Sequence, residues 1–286
     1  MTRVPGFLES DVPPAARDRA RFEIVPAPLE KSVSYGRGTA RGPRALLDAS
    51  QQLEAFDGRG TPAAAGIHTG ASIGCAGSVQ SVLRRIEART AAALAGGRIP
   101  VLLGGEHTVA LGALRAMART GRPFGIVQFD AHADLRDRYE GNRLSHACVM
   151  RRALEETGAP LFQIGCRAFC EEEAAFRRTR GIGALDADAF ARRGLPRRLL
   201  PPGFPKTVYL TFDVDALDPA VMPGTGTPVP GGLFWYDALR LLEAATAGRR
   251  VAAFDVVELA PVPGNPIAAF TAARLTYAIM GLCHDA

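Results

Sequence analysis

The chain has 286 residues, 47% of them hydrophobic, and carries 34 Lys and Arg against 29 Asp and Glu, for a net charge of +5. That apolar fraction builds a sizeable core and excludes wholesale disorder, while no apolar run reaches the ~18–20 residues needed to span a bilayer. All the cations except Lys31 and Lys206 are arginines, scattered as pairs such as Arg84-Arg85 and Arg197-Arg198, so the basic surplus reads as a solvated surface rather than a nucleic-acid stripe.

Residues 1–21 hold Pro5, Pro13 and Pro14 among several charges and read as an irregular arm, without a basic segment leading into an apolar one. A strand is expected at 22–26. Pro43 sits in the first turn of a helix running to 50, where its fixed φ is an advantage. Residues 57–77, rich in Gly, Pro and Ala, read as loop and short strand. A helix follows at 78–95, with Val79, Val82, Leu83 and Ile86 spaced for one face. Next come a strand at 98–103, a helix at 108–119, a strand at 124–129, a helix at 146–156 and a strand at 160–164. Beyond these lie a helix at 171–180, a short strand at 183–185, a strand at 207–212, a helix at 234–247, a strand at 250–254 and a closing helix at 266–283. Apolar strands alternating with helices predict a three-layer α/β/α fold around a mainly parallel sheet. No repeat or low-complexity linker divides the chain, so a single domain over 1–286 is expected. Five dispersed cysteines, an odd number, fit a reduced cytoplasmic enzyme better than a disulfide scaffold.

Polar residues cluster just past four of these strands: Gly104-Gly-Glu-His107, Asp130-Ala-His-Ala-Asp134, Asp213-Val-Asp215 and Asp255-Val-Val-Glu258. In a parallel sheet the C-terminal strand ends share one rim, where open α/β sheets bind ligands. Asp130, His132 and Asp134 alternate, as do Asp213 and Asp215, and alternate residues of an extended segment point the same way. With His107 the rim gathers four Asp and two His; Asp218, followed by Pro219, reads as a turn residue. So many carboxylates cannot share a site ionised without cations. Two divalent ions offset four negative charges, and mixed Asp/His donors suit Mn²⁺, with Ni²⁺ or Co²⁺ as alternatives.

The motifs Gly104-Gly-Glu-His-Thr-Val109, Phe129-Asp-Ala-His-Ala-Asp134 and Thr211-Phe-Asp-Val-Asp-Ala-Leu-Asp-Pro219, continued by Pro223-Gly-Thr-Gly-Thr-Pro228, resemble those of the ureohydrolases, the family of arginase, agmatinase and formiminoglutamase. The resemblance runs from about Phe22 to the C-terminus. It implies the arginase/deacetylase-like α/β/α fold. Segments 34–44, 145–152 and 255–261 are most similar to agmatinase. Glu106 departs from the pattern, since many members carry Asp there, and is expected to orient His107.

The resemblance further implies that one ion takes His107, Asp130, Asp134 and Asp213, and the other Asp130, His132, Asp213 and Asp215, with Asp130 and Asp213 bridging. A bridging hydroxide would attack the guanidinium carbon, oriented by Asp134. His146 would shuttle protons near the leaving amine, Glu258 would pair with the guanidinium, and Thr227 would help position the substrate. Agmatine hydrolysis to putrescine and urea is the leading expectation. Guanidinobutyrate, arginine or guanidine are the rival substrates, and a non-catalytic subunit of the same fold is the rival of another class. The expected partners are a small cationic guanidino compound and further copies of the chain in a trimer or hexamer, with no nucleic acid and no membrane.

Overall fold

The computed structural model describes residues 4–283. Eight strands form one sheet: β1 (Phe22–Ala27), β2 (Ile67–Thr69), β3 (Ile99–Gly104), β4 (Gly125–Phe129), β5 (Leu161–Ile164), β6 (Gly183–Leu185), β7 (Thr207–Asp213) and β8 (Arg250–Val257). Their order is β2-β1-β3-β8-β7-β4-β5-β6, and every pairing is parallel. The expected three-layer α/β/α fold is therefore present, with a sheet that is wholly rather than mainly parallel.

Eight helices cover the sheet: α1 (Gly42–Ser50), α2 (Val79–Ala95), α3 (Ala110–Arg119), α4 (Val149–Thr157), α5 (Glu171–Arg180), α6 (Ala187–Arg193), α7 (Trp235–Thr246) and α8 (Ile267–Gly281). Two separate apolar clusters result. One joins Leu46 of α1, Leu241 of α7 and Leu275 of α8 to Val101, Phe129 and Phe212; the other joins Ile86 of α2, Leu114 of α3 and Met150 of α4 to Leu102, Ile126 and Tyr209. Adjacent strand residues thus face opposite layers, which is why these strands read as unbroken apolar runs.

The arm packs onto the body, with Phe7 and Leu8 buried and the Leu8 amide donating to Ser50 Oγ. Two points depart from the sequence reading. Helix α6 follows Asp186 in a segment to which no element was assigned, because its seven residues, closed by Gly194, give too short a periodic pattern to stand out. Strand β8 runs three residues beyond Phe254, so Asp255 lies inside the sheet. A buried carboxylate within a strand reads from sequence as a strand end; here it is tolerated because Tyr209 Oη and Thr211 Oγ1 both donate to it.

Topology alone places the site. The four strands followed by polar clusters are β3, β8, β7 and β4, contiguous in the centre of the sheet. Their register puts Leu103, Val256, Phe212 and Phe129 at one level. The residues immediately beyond therefore emerge side by side, and Phe129 stacks on Phe212 across β4 and β7, ring centroids 5.0 Å apart.

Candidate metal centre

His107 enters the site from a short 3-10 turn after β3. The preceding Gly105 has no alternative, since a Cβ there would fall 2.0 Å from the Leu29 carbonyl oxygen. The imidazole is buried, and its Nδ1 lies 3.1 Å from Asp130 Oδ2, 3.0 Å from Asp134 Oδ2 and 3.6 Å from Asp213 Oδ2. None of these oxygens is aligned to take a hydrogen bond from it, and Nδ1 is a buried polar atom without a partner. On the far side of the ring, Nε2 lies 2.8 Å from Thr211 Oγ1, whose own proton goes to Asp255 Oδ1 at 2.7 Å. Thr211 can therefore only accept from the imidazole. A proton is thereby fixed on Nε2, which leaves Nδ1 as the nitrogen that can offer its lone pair to an ion; without one, burial lowers the imidazole but Asp130 and Asp134 more than reverse this and hold it well above the usual histidine range.

His132 forms the second half. Its Nδ1 stands 3.0 Å from Asp215 Oδ2 and 3.5 Å from Asp130 Oδ1. Two groups of donor atoms thus converge, His107 with Asp130 and Asp134, and Asp130 with His132 and Asp215. Asp130 belongs to both. Asp213 joins neither of these two tight groups, although its Oδ2 faces His107.

Backbone amides hold three of the four carboxylates by one oxygen. The amide of Ala131 donates to Asp215 Oδ1, that of Asp215 to Asp213 Oδ1, and that of His132 to Asp130 Oδ1. Gln128, buried in β4, adds a 2.7 Å bond to Asp130 Oδ2. Asp134 and Glu258 both have positive φ, 54° and 64°, a region non-glycine residues seldom adopt. Such strain persists where surrounding contacts enforce it, and here both residues line the same inner cavity.

The electrostatics describe a centre short of positive charge. Burial drives Asp213 well up, and the carboxylates of Asp215 and Asp130 add to it. Burial and Asp130 likewise raise Asp134. Burial pushes His132 down, but Asp130 and Asp215 beside it more than reverse this and lift it to about 12. Without cations, protons must fill their place. An orphaned imidazole nitrogen, converging carboxylates and an Asp common to two donor groups all fit a pair of divalent ions, with oxygen and imidazole donors suited to Mn²⁺-like metals.

Around the centre, Glu258 Oε1 accepts from the His107 amide at 2.6 Å, and burial drives its carboxyl well up. Thr227 Oγ1 reaches Asp215 Oδ2 at 3.5 Å. Both line the inner cavity with His132, Asp134, His146, Asp213 and Asp215. That cavity is small, about 20 Å³, and an outer chamber of about 390 Å³ shares Asp134, His132, His146 and Thr227 with it. Arg136, Tyr139, Phe169, Cys170 and Glu173 line the outer chamber. A larger cavity, about 660 Å³, lies beside the start of β1 and contains none of these residues.

The structure brings together all nine residues expected at the site. It overturns one assignment: the Glu106 carboxylate turns away from the His107 ring and accepts the amides of Lys31 and Ser32, each at 2.6 Å, because those loop donors are otherwise unsatisfied. Gln128 escaped the sequence reading, and Thr211 and Asp255, though inside the quoted motifs, were given no role. Their signal was present, since polar side chains in buried strands need partners.

Fold and donor set together define an α/β protein with a candidate two-cation centre at the C-terminal rim of its parallel sheet. Comparison with known proteins narrows the class. The arginase family profile matches residues 20–281. The N(1)-aminopropylagmatine ureohydrolase of Synechocystis sp. is 39% identical over 96% of this chain and 92% of its own length. The agmatinase of Pyrococcus horikoshii is 30% identical over 96% of both chains. The crystal structure of agmatine ureohydrolase of Thermoplasma volcanium superposes with a TM-score of 0.85 at 28% identity, covering 99% of this chain and 94% of that one. The chain belongs to the arginase family, the binuclear-metal ureohydrolases.

Proposed function

We propose that the protein hydrolyses a cationic guanidino-alkylamine to urea and an amine, with two Mn²⁺ at the centre. N(1)-aminopropylagmatine is the preferred substrate of this reading, and agmatine, the substrate expected from the sequence, is the second. The observation that carries the order is the 39% identity, over nearly the whole chain, to a relative bearing the first substrate's name. The outer chamber of about 390 Å³ supports it, because an aminopropyl extension needs room beyond the inner cavity.

The ions would sit among His107, Asp130, His132, Asp134, Asp213 and Asp215, where they supply Lewis acidity and lower the pKa of bound water from 15.7 to roughly 7. A guanidinium carbon is resonance-stabilised and needs such help. Glu258 would take paired N–H bonds from the guanidinium, and the cation in turn would favour its ionised form. In the overall reaction the water oxygen ends on the carbon, the bond from carbon to the substituted nitrogen breaks, and both water protons end on that nitrogen. His146, which lines both cavities, would take one of these protons on Nε2 and pass it to the amine, with Asp134 as the buried carboxylate lining the same cavities.

Urea release measured over N(1)-aminopropylagmatine, agmatine, guanidinobutyrate, arginine and guanidine tests this. The expected ranking puts the two cationic-tailed amines first. Preference for guanidinobutyrate or arginine would remove the substrate reading, and no urea from any of them would favour a non-catalytic subunit.

A further inference from the structure

The Glu106 carboxylate does more than hold a loop. Its Oε1 accepts the Ser32 hydroxyl at 3.0 Å while its Oε2 takes the amides of Lys31 and Ser32. Ser32 Oγ in turn accepts the His146 amide at 3.0 Å and lies 3.2 Å from His146 Nδ1. A hydroxyl has one proton, and that of Ser32 is committed to Glu106. Toward His146 it can only accept, so Nδ1 must carry the imidazole proton. Ser145 Oγ, 3.3 Å from the same nitrogen, is placed to accept from it as well. The edge of Tyr139 packs on the imidazole at 5.6 Å between centroids and closes another side. Burial keeps His146 below the usual histidine range, so the neutral ring, whose tautomer matters, is the relevant one.

We propose that Ser32, held by Glu106, is the positioning residue that orients His146 and fixes its neutral tautomer as Nδ1–H, leaving the Nε2 lone pair free to take a proton from water and pass it to the leaving amine. The proposal rests on the ureohydrolase reading for what Nε2 does, though not for how the ring is held. Segment 31–32 thereby joins two functions. It ties the turn after β3, which carries His107, to the turn that opens α4, which carries His146. An Asp at 106, one methylene shorter, would have less reach toward Ser32.

Ser32→Ala is the test, because it removes one hydroxyl from the rim and leaves all ligands in place. General acid–base groups contribute roughly 10²–10⁴-fold, and losing orientation alone should lower kcat roughly tenfold to a hundredfold. KM and bound metal should stay unchanged, and Ser32→Thr, which keeps the hydroxyl, should recover most of the loss. In a His146→Asn background, Ser32→Ala should have no further effect, since the two act as one unit. An equal loss in both backgrounds, an unchanged kcat or a loss of metal would overturn the proposal. Should the unmodified protein release no urea, the functional reading falls separately. Histidine ¹⁵N spectra of the Zn²⁺-loaded chain then decide: Nδ1–H at His146 in the unmodified protein, disturbed in Ser32→Ala, is expected, and an Nε2–H tautomer would overturn it.

Discussion

Thr211 Oγ1 lies 2.8 Å from His107 Nε2 and gives its proton to Asp255, so it dictates that Nε2 carries a proton and Nδ1 is the nitrogen free for an ion. Tyr209, two residues earlier on β7, donates to the other Asp255 oxygen at 2.6 Å. Removing the hydroxyl frees the ring to take the wrong tautomer. Loss of such a partner typically costs 10–100-fold in metal affinity. Thr211→Val should weaken Mn²⁺ binding by about that factor in a calorimetric titration, and Thr211→Ser should bind nearly as the parent. Equal affinity for Thr211→Val would show that the tautomer is set elsewhere.

Asp130 and His146 separate metal binding from proton handling. Asp130 belongs to both donor groups, so Asp130→Asn should lose both ions and all urea release. His146 belongs to neither, so His146→Asn should keep both ions and lose roughly 10²–10⁴ in turnover. Metal analysis alongside kcat distinguishes the two. Near-normal turnover in His146→Asn would remove that residue from the mechanism.

Metal binding should release protons. Without ions, His132 is lifted to about 12, so it is protonated at neutral pH, and burial raises Asp134 and Asp213 toward their protonated forms. Ligation requires neutral imidazole and ionised carboxylates. Ions and protons therefore compete, and affinity should rise with pH. Titrations in buffers of different ionisation enthalpy should give different apparent heats, and heats independent of buffer would contradict this account.

A second pH effect concerns stability, far from the centre. Glu23 is fully buried in β1, between Arg17 and Arg98. Burial raises its pKa, but the hydrogen bonds from the two guanidinium groups outweigh this and leave it below the 4.5 of an unperturbed glutamate. A depressed carboxylate contributes stability above the unfolded pKa and loses it as pH falls through the folded one. The parent should therefore weaken below about pH 4.5 in denaturant melts. Glu23→Gln should be destabilised at pH 7 by about 2 kcal/mol, less than for a fully buried pair because Arg17 is half exposed. Its deficit should shrink as pH falls; a constant deficit would assign Glu23 a packing role alone.

Much of this was legible in the sequence because the sheet is buried on both faces. Its strands read as apolar runs, and Asp130, Asp213 and His107 stood out where those runs ended. The legible signals were local. Strand order was not, since the adjacency of β3 to β8 and of β7 to β4 depends on packing between residues over 80 positions apart. Thr211 was visible as a residue and opaque as a partner, because only the fold brings its hydroxyl between Asp255 and His107. Glu106 was noticed beside His107, and proximity in sequence suggested the wrong neighbour. Its longer side chain reaches a loop 74 residues away. The 3-10 turns carrying His107 and His146 read as the first turns of helices because their composition is the same.

The central claim is a two-ion centre joined through Asp130. Anomalous diffraction from crystals grown with Mn²⁺ tests it most directly. The account predicts two peaks per chain, both ligated by Asp130, one also by His107 Nδ1 and the other also by His132 Nδ1. A single peak, or a pair that does not share Asp130, would contradict it.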